Sequence, residues 1–195
     1  MPDAPFVKPK PVQDWDPEIA AVGGNPAAPG SGTLNVFATL ANHPKLMKRW
    51  LVFGNHVMAK NTLPDRVREL LILRTGWNCG SPYEWGQHVA IARAVGISDD
   101  EIVGVTEGPH APRWSAFDAA LLSAADELHA SCCVSAPTWR ELTASLSEQQ
   151  MLDLVFTVGQ YHLVAMALNS CRVVRDDGVD ERSVPFPTHP DDRER

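Results

Sequence analysis

Apolar residues along this chain recur every three or four positions and nowhere alternate with a period of two, which predicts helices and no strands. Leu34 to Ala41 groups Leu34, Phe37, Ala38 and Ala41. Pro44 opens an amphipathic stretch to Lys60, with Leu46, Trp50, Phe53 and Val57 on one side. Pro64 to Trp77 is apolar nearly all round from Leu70 to Leu73, the pattern of a central, buried helix. Ser81 to Val95 follows and stops at Gly96. Ser98-Asp99-Asp100-Glu101 is a capping-box pattern opening a short helix. Trp114 to Ala130 aligns Phe117, Leu121, Ala124, Ala125 and Leu128, and Pro137 to Leu146 is a short helix. Ser147-Glu148-Gln149-Gln150 is a second capping-box pattern. It starts the most apolar helix, which runs to about Ser170 and is expected to pack centrally or across a subunit interface. The expected fold is all-α, with helix–helix packing as its only core.

The flanks differ. Residues 1–32 are rich in proline and glycine and read as an extended arm, either loose or laid across a neighbouring subunit. Residues 176–195 are charged, with Pro185, Pro187 and Pro190, and read as an extended or disordered tail. Residues 33–175 are then a single helical domain. Of 195 residues, 44% are hydrophobic and 21% charged, and the formal net charge is −7. No basic stripe asks for nucleic acid or an anionic membrane. Leu163–Leu168, the longest apolar run near the end, is too short to span a bilayer, and no secretory signal is evident. Four cysteines without a CxxC pattern suggest a reduced, cytoplasmic protein.

Candidate chemistry gathers in two adjacent helices. Glu84 and His88 are four apart and share one helical face, while Glu69 lies in an apolar run, where a carboxylate is costly unless paired or used. A carboxylate fixing the His88 tautomer and a second carboxyl with a raised pKa in a dry pocket would form an acid–base pair. Glu84 is placed to orient His88. A bland alternative stays open: Ser81-Pro82-Tyr83-Glu84 is itself a capping box, and Glu69 has Arg66, Arg68 and Arg74 nearby for a salt bridge. Two carboxylates and one imidazole are also reasonable metal ligands, but no HExxH or repeated His spacing supports this, and neither metal nor cofactor is expected. Cys79 precedes a helix N-terminus, where a thiol pKa can fall. Tyr83, Tyr161, Ser81 and Cys79 are candidates to line the same pocket, and Asn169 is a further polar residue suited to it. His56, His129 and His162 read as isolated.

The segment Arg66–Gly96, with Tyr83-Glu84-Trp85-Gly86-Gln87-His88 and then Gly96-Ile97-Ser98, resembles the carboxymuconolactone decarboxylase family within the alkylhydroperoxidase D-like superfamily. Similarity extends from about Asn35 to Asn169, through Phe117-Asp118-Ala119-Ala120-Leu121-Leu122 and Gly159-Gln160-Tyr161-His162. The resemblance implies an oligomeric, all-helical bundle: a trimer, a hexamer or a dimer. Peroxidase members carry a glutamate, then a CxxC whose second cysteine precedes a histidine by four. By position the glutamate matches Glu69 and the histidine His88, while the two cysteines fall on Ser81 and Glu84. Both redox thiols are therefore missing. Decarboxylase members imply loss of CO2 from a small lactone acid, or a related proton shift, which needs an acid such as His88 or Glu84. Arg66, Arg74 and Arg93 are candidates to grip a substrate carboxylate if they point inward.

Three readings follow. The first is a cofactor-free lyase or isomerase that works on a small carboxylic or lactone substrate through Glu69, Glu84 and His88. The second is a non-catalytic helical oligomer or binding module, with no enclosed pocket, Glu84 only capping and Glu69 only salt-bridged. The third is a thiol peroxidase through Cys79.

Overall fold

The computed structural model describes residues 4–20, 33–179 and 183–189, and among them there is no strand. Nine α-helices follow in order: α1 (Pro17–Ala20), α2 (Asn35–Leu40), α3 (Pro44–Asn55), α4 (Asp65–Asn78), α5 (Pro82–Ala94), α6 (Asp99–Glu107), α7 (Ala116–Ser131), α8 (Ala136–Thr143) and α9 (Glu148–Cys171). Helix α4 is the centre, packing against α5, α6, α7 and α9. Leu70, Leu71, Ile72 and Leu73 are all fully buried. Burying each such side chain stabilises the fold by roughly 1.5–3 kcal/mol, which no one-sided helix could match over four consecutive residues.

Local chemistry sets the boundaries. The capping boxes Ser98/Glu101 and Ser147/Gln150 both form. The α4–α5 link is a Schellman turn: Ser81 N–H donates to Gly76 O, Gly80 N–H donates to Trp77 O, and Gly80 sits at φ +58°. Gly96, at φ +88°, closes α5 in the same way, through Ile97 N–H to Ala92 O and Gly96 N–H to Arg93 O. The first turn folds α4 and α5 into a hairpin, placing Glu69 opposite His88.

The helix expected over Pro44–Lys60 changes pitch before its end. His56–Lys60 form a π-helical turn, with Val57 buried and the Val57 carbonyl accepting from Asn61 Nδ2. This turn delivers Met58 toward α9.

The two flanks are more tightly joined than their composition suggested. The described part of the arm lies on its own chain: Trp15 and Ile19 are buried with Met47, Ala38 and Ala41, and Phe6 N–H donates to Cys171 O. Two large apolar side chains supply the driving force that the prolines and glycines around them obscure. In the tail, Val184 is buried in the main core with Phe186 packed against it. Asp176 accepts from Asn35 N–H, the Tyr83 hydroxyl and Gln87 Nε2, so one carboxylate ties the tail to α2 and α5.

Helix α9 is long and apolar enough to cross a membrane by length and composition, yet half of that stretch is buried within this fold. Met151, Leu154, Val158, Tyr161, Ala165 and Leu168 face inward, while Leu152, Phe156, Leu163 and Met166 stay exposed along one stripe.

Asp176→Ala should lower unfolding stability by about 1–2 kcal/mol, since it strands partly buried donors on two helices. Urea denaturation checks this, and an unchanged midpoint would show that the tail contributes nothing to the fold.

Candidate active site

The site is built on the α4–α5 hairpin. Glu69 is completely buried, and its two oxygens have different partners. Oε1 accepts from Arg68 Nε at 3.0 Å, and Oε2 lies 2.7 Å from His88 Nδ1. Arg68 in turn reaches Asp65 at 2.6 Å near the surface. A carboxylate can only accept, so Nδ1 of His88 carries the proton and Nε2 is left for chemistry. The Tyr161 ring meets the imidazole edge-on at 4.8 Å between centroids, which fixes its plane from the α9 side.

Glu84 has the opposite environment. It is 2% exposed, and neither carboxyl oxygen makes a hydrogen bond. Burial alone pushes its pKa well above the usual carboxylate range, so the neutral acid is the favoured form. Gly76 makes room for it: a Cβ at that position would stand 3.1 Å from Glu84 Oε1. The expected roles are thereby exchanged. Glu69, not Glu84, orients the imidazole, and Glu84, not Glu69, is the isolated carboxyl.

The capping expected at Ser81 does not form. Its side chain accepts no cap hydrogen bond, and its hydroxyl is buried without a partner. The turn instead holds Ser81 at φ −106°, ψ 89°, away from the extended geometry of the capping serines at 98 and 147.

Glu84 and His88 border a cavity of about 300 Å³ between α2, α3, the π turn, α5 and α9. Most of its wall is apolar, including Phe37, Trp50, Ile91 and Val164; Asn55, Tyr83, Gln87, Gln160 and Tyr161 are its polar members beside the site pair. Burial raises the Tyr161 hydroxyl well above its ordinary pKa. That hydroxyl donates to the Met58 sulfur. Burial likewise raises Tyr83, and its bond to Asp176 adds to the shift.

Tyr83 and Tyr161 line the cavity, whereas Ser81 and Cys79 do not. Cys79 lies instead 3.9 Å from His129 Nδ1, and His129 Nδ1 is 2.9 Å from His162 Nε2, so these histidines are not isolated. Asn169 donates to the Cys79 carbonyl rather than facing the cavity. Arg66 pairs with Glu101, Arg74 with Asp126 and Arg93 with Asp99, so none of the three grips a ligand in the cavity. Sequence reasoning missed Trp50, Met58 and Gln160. Their helical spacing marked only an apolar face, and the π turn that aims Met58 has no simple sequence signal.

Residues 44–127 match the sequence profile described as "Carboxymuconolactone decarboxylase family". Over that segment the chain is similar to this family. No curated protein matches the chain in sequence. Solved structures agree on the fold. An uncharacterized peroxidase-related protein from Silicibacter sp. TM1040 superposes with a TM-score of 0.78 at 14% identity, covering 94% of this chain and 98% of that one. A peroxidase-related protein with an alkylhydroperoxidase AhpD core, from Ralstonia eutropha JMP134, gives 0.77 at 18% identity, covering 88% and 93%. The debrominase Bmp8, in complex with 2,3,4-tribromopyrrole, gives 0.75 at 14% identity, covering 91% and 95%. The chain therefore has an AhpD-like fold.

Glu84 leaves a measurable trace in stability. It is ionised in the unfolded chain and neutral in the folded one, so the folded state binds the extra proton. Stability should fall as pH rises above the ordinary carboxylate range, by up to about 1.4 kcal/mol per pH unit for one proton. Glu84→Gln should flatten this slope and stabilise the protein at neutral pH, as read by chemical denaturation across pH 5–8. Equal slopes in the two proteins would show that Glu84 is ionised in the fold.

Proposed function

We propose that this chain is a cofactor-free acid–base enzyme, a lyase or isomerase, that moves a proton on a small lactone-like substrate held in the α2/α3/α5/α9 cavity. The observation that carries this reading is Glu84. A buried carboxyl with no hydrogen-bond partner costs stability, roughly 1–3 kcal/mol for an unmet buried polar group. A substrate oxygen in the cavity would supply the missing partner. In this mechanism His88 Nε2 removes a proton from carbon beside the substrate carbonyl. Glu69, tied to Arg68, steadies the imidazolium that results, and Glu84 gives its proton to the developing enolate. Run as a decarboxylation, the same acid protonates the carbanion left when CO2 departs.

Among the described residues no arginine or lysine lines the cavity, which favours a lactone with at most one carboxylate over a dianionic acid. The apolar wall supports the same choice: the pyrrole bound by Bmp8 is likewise a compact ring. A thiol peroxidase is disfavoured because no cysteine borders the cavity. Four cysteines outside any disulfide suit a reducing, cytoplasmic setting. The exposed stripe of Leu152, Phe156, Leu163 and Met166, with Gly159 open between them, supports self-association of α9 faces from copies of this chain. Light scattering on wild type and on Leu152→Lys/Met166→Lys tests that assembly, which predicts a multiple of the monomer mass reduced by the double variant.

Screening small enolisable lactones and lactone acids should reveal turnover with a bell-shaped pH dependence. His88→Gln and Glu84→Gln should each cost about 10²–10⁴-fold in kcat, the usual worth of a general base or acid. Full activity in His88→Gln would overturn the assignment. Ligand binding in the cavity without turnover by the wild type would favour a binding module.

A further inference from the structure

We propose that Cys79, His129 and His162 form a binding site for a borderline divalent cation such as Zn²⁺, separate from the acid–base cavity. The three residues come from the end of α4, the last turn of α7 and the middle of α9. One ligand atom from each lies within 4.8 Å of the others. None of the three borders the cavity.

The distances suit a metal. Tetrahedral zinc, with bonds of about 2.0–2.1 Å to nitrogen and about 2.3 Å to sulfur, places two nitrogens about 3.3 Å apart and nitrogen and sulfur about 3.6 Å apart. Here the two ring nitrogens are 2.9 Å apart, and Cys79 Sγ is 3.9 Å from His129 Nδ1. Those two pairs need shifts of a few tenths of an ångström, and the third, Cys79 with His162, lies within 4.8 Å and closes by up to about 1.2 Å on coordination. Cys/His donors also select zinc-like ions over magnesium or calcium, which take oxygen.

A second contact sets the ligand state of one histidine. His162 Nδ1 lies 2.9 Å from the Val158 carbonyl, which can only accept, so the proton is on Nδ1 and Nε2 keeps its lone pair. Metal-bound imidazoles almost always donate their other N–H in this way, because it fixes tautomer and ring direction. The Cys79 turn is held as well, with Asn169 Nδ2 on α9 donating to the Cys79 carbonyl at 3.0 Å. His129 is exposed, so the fourth position opens to water, as at zinc centres with three protein ligands. On binding, Cys79 gives up its thiol proton and the ion joins α4, α7 and α9.

The test uses the untagged full chain, reduced and freed of metal by chelator, titrated with Co²⁺ alone. One equivalent should bind with a thiolate-to-cobalt charge-transfer band, Zn²⁺ should displace it, and the thermal midpoint should rise with metal concentration. Cys79→Ser should abolish the band. His129→Ala and His162→Gln should weaken binding by more than about 100-fold, since even changes in supporting residues cost roughly 10–100-fold. The exposed pair is the control: Cys132→Ser/Cys133→Ser should keep the band. His129 is exposed, so its variant folds irrespective of metal and leaves the proposal open to refutation. No stoichiometric binding, full affinity in His129→Ala, or a band lost with Cys132 and Cys133 instead of Cys79 would each overturn the site.

Discussion

The buried chain Asp65–Arg68–Glu69–His88 is the contact on which the site depends. It runs from the surface into the core, and each charge along it meets an opposite charge or a ring N–H. Buried ion pairs are a poor source of net stability, because desolvation consumes most of the attraction. Breaking one is expensive all the same, since it leaves a bare charge behind. The network therefore acts mainly as a positional device: it fixes one ring nitrogen and leaves the other toward the cavity. It works only because the turn at Gly80 folds α5 back on α4.

The two carboxyl groups show how environment divides labour between like residues. Glu69 has a guanidinium and an imidazole within 3.0 Å, whereas Glu84 has neither charge nor hydrogen bond. Ion pairing favours the charged form and burial the neutral one. Two glutamates on neighbouring helices thus sit in opposite surroundings, one bonded through both oxygens and one through neither. Gly76 belongs to the same design, because a side chain there would press on the Glu84 carboxyl.

Much of this was legible along the chain. The helices, both capping boxes at Ser98 and Ser147, the stop at Gly96 and the candidacy of Glu69, Glu84 and His88 all rest on local spacing. The Ser81 box was misleading for a local reason too, since the Schellman bond to Gly76 claims its backbone first. Trp15, Ile19 and Val184 were hidden by composition: a few apolar anchors hold segments whose prolines and charges read as loose.

The sequence alone determined the helices and the residues able to carry protons, because periodicity and capping act over a few positions. Only tertiary structure decided what those residues do. Glu69 and His88 meet because a turn sets two helices side by side, and the isolation of Glu84 depends on what its neighbours fail to offer. Cys79, His129 and His162 converge from three helices. Such encounters depend on packing angles and on the depth of each side chain, quantities that no spacing within one segment encodes.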